Sequence, residues 1–168
     1  NLGVDAALEA KVTITGAFDD ACASFFGGIV VTDNTARRLV KVDRFPPGLM
    51  AVVQIPKRAI TKPSLAGKDF SSIRAQVEEA YRLALQGDYF HALEVNSAAY
   101  GPILEIDETH ARRARAAGAV AAGISGAGPA ILALVKPAHV ESVVLALTDG
   151  ESEVRVASLN TVESREVV

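Results

Sequence analysis

The 168 residues are 49% hydrophobic, enough to bury one sizeable core, either as a single domain or as a large part of a bigger protein. A net charge of −3, from 17 basic and 20 acidic residues spread along the chain, gives no broad attraction to nucleic acid or acidic membranes, and a small-molecule partner is expected. No apolar run reaches the roughly 18 to 20 residues of a membrane helix, the first residues lack the layout of a signal peptide, and the expected location is the cytoplasm.

The single cysteine, Cys22, excludes a disulfide framework and a multi-cysteine metal site. His91, His110 and His139 lie far apart without ligand spacing. No protein-held metal site is expected, and any metal would be oxygen-bound, such as magnesium on a nucleotide.

The chain opens inside an amphipathic segment, with Val4, Ala7, Leu8 and Val12 partly periodic, and is expected to start in mid-protein. Residues 11–15 alternate like a strand edge, and Gly16 breaks the pattern. Asp19 and Asp20 then lead into the small residues Ala21, Cys22, Ala23 and Ser24, which predict a helix whose macrodipole holds the acids at its start. Gly27 and Gly28 end it. Ile29-Val30-Val31-Thr32 and Leu39-Val40-Lys41-Val42 flank the turn residues Asp33-Asn34-Thr35 and predict a β-hairpin.

Pro46-Pro47-Gly48 punctuates the chain before the apolar run 49–55, a buried strand that stops at Pro56. The expected boundary therefore divides the chain into 1–48 and 49–168. Helical spacing starts near Ser71 with Ile73, Val77, Ala80 and Ala84, stops at Gly87-Asp88, and resumes with Phe90, Leu93 and Ser97. A third helix spans about 107–117 and ends at Gly118. A small apolar strand over 119–124, a glycine loop, a strand at Ile131-Leu132-Ala133-Leu134-Val135, a helix carrying Val140, Val143, Val144 and Leu147, and a strand at Val154-Arg155-Val156 complete the chain. The order from residue 49 onward predicts an α+β fold with a ferredoxin-like split βαβ domain.

Two segments carry chemistry. Gly126-Ala127-Gly128 reads first as a tight turn between strands, yet Ser125 adds a hydroxyl, Pro129 stiffens the exit, and the small residues allow close approach of an anion. Asp19 and Asp20 read first as a cap with a solvated neighbour. Phosphoryl transfer gives a competing reason for them, because an acceptor hydroxyl must lose a proton while charge builds on phosphate. Together the segments read as two walls of one phosphate-transfer site.

Thr15-Gly16-Ala17-Phe18-Asp19-Asp20-Ala21, continuing through Ser24 and Phe26-Gly27-Gly28 to Val31-Thr32-Asp33-Asn34, resembles the signature of the archaeal-type shikimate kinases of the GHMP kinase superfamily. Gly123-Ile124-Ser125-Gly126-Ala127-Gly128-Pro129-Ala130 resembles the third motif of that superfamily. The resemblance implies the carboxy-terminal portion of such a kinase. Its reaction is transfer of the ATP γ-phosphate to the 3-hydroxyl of shikimate, with Mg2+.

It further implies that Asp19 acts as base or charge stabiliser; an ungapped count back from Gly27-Gly28 selects Asp20, and both are retained. Ser125, Gly126, Ala127 and Gly128 fall on the nucleotide-phosphate side, and Gly16 on the substrate side. Asn96 resembles an asparagine at that place in family members, although core satisfaction is an equal reading. Lys57, Arg58 and Lys62 form a basic loop after a strand end that reads as solvated and could also meet the carboxylate of shikimate or a phosphate. Cys22 reads as packing, Arg112, Arg113 and Arg115 as a solvated helix face, and the histidines equally plainly.

The superfamily's nucleotide-phosphate loop occurs nowhere in the 168 residues, so the expected partner is the missing amino-terminal half of the same enzyme, without which the chain is expected to be inactive. The alternatives are another GHMP kinase acting on homoserine or a similar alcohol, and a non-catalytic ferredoxin-like module binding a small ligand or partner subunit. Oligomeric state is left open.

Overall fold

The computed structural model describes residues 2–10, 18–58, 65 and 67–164. The chain divides into two compact units, one formed by Asn1–Pro47 with Leu159–Val168, the other by Gly48–Ser158. The expected strand at 11–15, Gly16 and Lys62 lie outside the described residues.

In the first unit, α1 (Leu2–Glu9) and α2 (Phe18–Phe26) precede an antiparallel ribbon of β1 (Ile29–Asp33) and β2 (Arg38–Asp43). Phe18 and Cys22 lie one helical turn apart and bury the same face of α2 with Val4, against Leu8, Phe26, Val30 and Leu39. Burial of that face turns Asp19 and Asp20, both in the first turn, to solvent. Helix α2 stops at Gly27 and Gly28, whose φ angles of 65° and 67° suit residues without a Cβ. A Cβ on Gly27 would meet the Val162 backbone, and one on Gly28 would collide with the Asp43 carbonyl. The predicted hairpin forms with its turn around Asn34, where the Asp33 carboxylate accepts the Ala36 N–H at 2.9 Å.

The second unit is an antiparallel sheet in the order β4-β5-β3-β6, built from β3 (Met50–Ile55), β4 (Ala121–Ile124), β5 (Ile131–Val135) and β6 (Glu153–Ser158). The first and third strands to form in sequence are central and the second and fourth lie outside, which is the ferredoxin-like order expected from the sequence. Between β3 and β4 run α3 (Arg74–Gln86), α4 (Tyr89–Leu104) and α5 (Thr109–Ala116), while α6 (Val140–Leu147) links β5 to β6.

Strand alternation puts Val52 and Gln54 on one face of β3, where both are almost completely buried. Val52 packs with Ala122, Ile124, Ile131, Ala133 and Val135 of the sheet and with Ala111, Ala114, Val143 and Leu147 of α5 and α6. The alanines of α5 let that helix approach the sheet closely. Helix α3 ends at Gly87, with φ 90°, before α4 begins. No described helix is long and apolar enough to cross a membrane.

Candidate functional site

The glycine loop joins β4 to β5, so its entry and exit are fixed by one antiparallel pair, with Ile124 opposite Ile131. The Ser125 N–H donates across its base to the Ala130 carbonyl at 2.9 Å, and the Gly128 N–H donates back to the Ser125 carbonyl at 2.9 Å. Gly126 and Gly128 have φ of 58° and 69°, and the Gly128–Pro129 bond is cis. Ser125, Gly126 and Ala127 are exposed. The N–H groups of Gly126 and Ala127 make no hydrogen bond to a described residue, so the loop offers backbone donors outward from a fixed hairpin. Unpaired backbone donors on an exposed turn are suited to an anion.

Beneath the loop the packing leaves no slack. A Cβ on Gly128 would collide with Ile106, and one on Gly123 would sit 2.9 Å from the Ser97 Cβ and 3.1 Å from Leu93 Cγ. Ser97, fully buried on α4, accepts the Ile124 N–H at 2.9 Å and donates to the Glu108 carboxylate at 2.5 Å. Asn96, the adjacent residue named from the sequence, is half-buried on the same helix.

Lys57 and Arg58 follow β3, and both line a cavity of about 460 Å³ together with Ile106, His110, Pro129 and Asp149. The structure thus brings the basic pair beside the exit of the glycine loop. Arg58 Nη2 reaches the Glu105 carbonyl at 3.4 Å. Several acids around this cavity are already engaged. Glu105 accepts from Lys68 Nζ at 3.1 Å, which lowers its carboxyl pKa. Asp107 accepts from the Thr109 hydroxyl and N–H, which lowers its pKa as well. Asp149 receives the N–H groups of Ser152 and Glu151, and these pull its pKa to about 2.

The plain reading of the histidines needs one correction. His110 faces this cavity with its Nε2 buried, without a hydrogen-bond partner and 3.5 Å from Asp149 Oδ2. Arg115 also departs from the solvated face expected for it. Its Nη1 donates to the Ala122 carbonyl at 2.7 Å, while Arg112 and Arg113 remain exposed. Strand β4 lies at the border of the described sheet, and Arg115 satisfies a carbonyl there that faces no described strand.

Asp19 and Asp20 belong to the first unit, at the exposed start of α2. Burial, with the nearby Asp19 charge, raises the Cys22 thiol pKa, so Cys22 is protonated packing rather than a nucleophile. Among the described residues, no group of three or more His, Cys, Asp or Glu side chains gathers as a metal site.

The family described as "GHMP kinases C terminal" matches residues 63–151, more than half of the chain and the whole span from the helices to the glycine loop and α6. The chain belongs to the GHMP kinases. Similarity to curated relatives extends further than that span. A shikimate kinase of Thermococcus kodakarensis is 46% identical over 132 residues, covering 79% of this chain and 48% of the relative. One of Pyrococcus furiosus is 41% identical over 146 residues, covering 84% of this chain and 52% of the relative. One of Methanothermobacter thermautotrophicus is 34% identical over 165 residues, covering 98% and 57%. The chain spans about half the length of the curated relatives it matches.

Among solved structures, homoserine kinase from Cytophaga hutchinsonii superposes with a TM-score of 0.62 at 20% identity, covering 84% of this chain and 51% of its own. A putative homoserine kinase from Listeria monocytogenes gives 0.57 at 18% identity, covering 94% and 64%. At these identities the likeness establishes the GHMP fold alone.

Sequence reasoning missed the hydrogen bonds of Ser97, Glu108 and Arg115 and the place of His110 in the cavity. Ser97 carried a signal, as a small polar residue on the otherwise apolar buried face of its helix. The other three are brought in by tertiary packing, and nothing in their local spacing announces it.

Proposed function

We propose that the whole protein is a shikimate kinase, transferring the γ-phosphate of ATP to the 3-hydroxyl of shikimate in the biosynthesis of chorismate and the aromatic amino acids. The observation that carries this reading is the 34–46% identity to shikimate kinases, which reaches over 98% of the chain in one of them. In this reading residues 1–48 are the remainder of the amino-terminal GHMP domain and 49–168 its carboxy-terminal ferredoxin-like domain. The other half of the enzyme supplies the nucleotide-phosphate loop. The reaction places the protein in the cytoplasm with its ATP.

Asp19 or Asp20 takes or stabilises the proton of the acceptor hydroxyl, and their exposure leaves either free to meet a substrate. Ser125, Gly126, Ala127 and Gly128 line the phosphate side, where the outward N–H groups of Gly126 and Ala127 suit the charge that develops on the transferred group. Lys57 and Arg58 meet the carboxylate of the acceptor from the cavity beside the loop, with Gly16 and Asn96 contributing on the substrate side. Magnesium would accompany the ATP phosphates, where it would offset their charge.

The test is an assay of the purified whole protein with ATP, magnesium and a panel of alcohols. Shikimate-dependent ADP formation with a shikimate 3-phosphate product supports the reading. Phosphorylation of homoserine instead would overturn the acceptor, and absence of ATP turnover with every alcohol would overturn the kinase.

A further inference from the structure

Helix α4 does more than cover the sheet. Strand β4 is an outer strand, and because the Ser125 N–H points towards β5, the alternation of the strand aims the Ile124 N–H away from it. Among the described residues no strand lies on that side. The Ser97 hydroxyl accepts this N–H at 2.9 Å, at the last residue before the glycine loop opens. The hydroxyl proton is in turn committed to Glu108 Oε1, which fixes the oxygen lone pairs towards Ile124. Gly123 lacks the Cβ that would push α4 off the strand, and a Cβ on Gly101 would crowd the Ile106 carbonyl at 3.2 Å, in the connection that carries Glu108. The far end of the loop rests on Ile106, from the same connection between α4 and α5 that carries Glu108.

We propose that Ser97 and Glu108 are positioning residues for the loop at residues 125–128, holding its backbone N–H groups where the transferred phosphate is received. The proposal rests on the kinase reading above. Neither side chain touches substrate; each acts through the Ile124 backbone, two residues before the first outward donor. Removal of the Ser97 oxygen leaves a buried N–H unpaired, and the loop relaxes to satisfy it. A small displacement of donors aimed at a transition state lowers turnover more than it lowers acceptor binding.

The experiment uses the whole protein and the variants Ser97→Ala, Glu108→Ala and Glu108→Gln. Kinetics are paired with backbone hydrogen exchange of the segment 121–130 and a melting temperature for each variant. Ser97→Ala and Glu108→Ala are expected to lower kcat about tenfold. KM for shikimate should stay unchanged and exchange at residues 124–128 should quicken. Glu108→Gln keeps an oxygen that accepts from Ser97 and should restore most of both. A fall in melting temperature alone, with kcat and loop exchange of the folded variants unchanged, overturns the proposal and leaves the pair purely structural. So does Glu108→Gln behaving like Glu108→Ala. If the wild-type protein fails to phosphorylate shikimate, the functional reading falls. Faster loop exchange in Glu108→Ala, reversed in Glu108→Gln, would still support the anchor.

Discussion

Gln54 reaches from the centre of the sheet to the Asp149 carboxylate, donating to its Oδ2 at 2.9 Å and to the Leu147 carbonyl at 3.0 Å from one Nε2. Gln54 is 1% exposed, whereas Asp149 lies at the surface. They tie β3 to the end of α6 and to the turn before β6. Gln54→Leu keeps the volume and removes both donors, leaving a buried carbonyl unpaired. The expected cost is about 1–3 kcal/mol, read from urea unfolding of the variant against the wild type.

Asp149 gives the same corner a pH dependence. Its pKa is held at about 2 by the N–H groups of Ser152 and Glu151, below its ordinary value. A group depressed on folding adds stability above its unfolded pKa, near 3.9, and loses that contribution as the pH falls through the folded value. Asp149→Asn removes the ionised carboxylate and should melt lower than the wild type from pH 7 down to about 5. The gap should close between about pH 4 and pH 2. A gap of constant size across that window would show that the carboxylate charge contributes nothing there.

Arg115 and Arg112 separate a structural arginine from a solvated one on the same helix. Arg115→Ala removes the donor to the Ala122 carbonyl on the outer strand β4, whose four residues are all buried. The expected loss is about 1–3 kcal/mol. Arg112 pairs only at the surface, with Thr109 and Asp107, and Arg112→Ala should stay within about 0.5 kcal/mol of the wild type. Equal losses in thermal or chemical unfolding would return Arg115 to the solvated face.

This contrast marks how far the sequence could be read. The elements from residue 49 onward were legible because local signals agree with the fold: Pro56 stops β3, Gly87 stops α3, the apolar run of β3 matches its burial, and helical spacing in α6 matches the face it buries. The glycine loop was legible for the same reason, since Gly126 and Gly128 occupy positions with positive φ. Arg115 was not, because its partner is the carbonyl of a strand that gains its outer position only after the whole sheet assembles. Lys57 and Arg58 were legible as a basic loop, but the cavity they share with Pro129 and His110 arises from elements far apart in sequence.

Gly123 tests the close approach of α4 to β4. A Cβ there would lie 2.9 Å from the Ser97 Cβ and 3.1 and 3.2 Å from Leu93 side-chain atoms. Leu93 can turn aside, but Ser97 is fully buried and held by two hydrogen bonds. Gly123→Ala should therefore destabilise by about 1–3 kcal/mol, the range of overpacking in a filled core. Gly126→Ala is the control, because its added Cβ meets nothing within 4 Å and only the positive φ of 58° opposes it, at about 1 kcal/mol. A melting curve for each decides the order.

Asp19 and Asp20 occupy successive exposed positions at the start of α2, and neither packs into the core formed by Phe18 and Cys22. Substitution by Asn preserves shape and removes charge, so both variants should fold with melting temperatures near that of the wild type. Their kinetics should differ, because successive helical residues point about 100° apart and only one can face an acceptor hydroxyl. For that one, kcat in the whole protein should fall by about 10²- to 10⁴-fold, the usual contribution of a positioned acid or base. The other should fall far less. Full activity in both variants would remove the pair from the reaction and leave them as charges at the start of a helix.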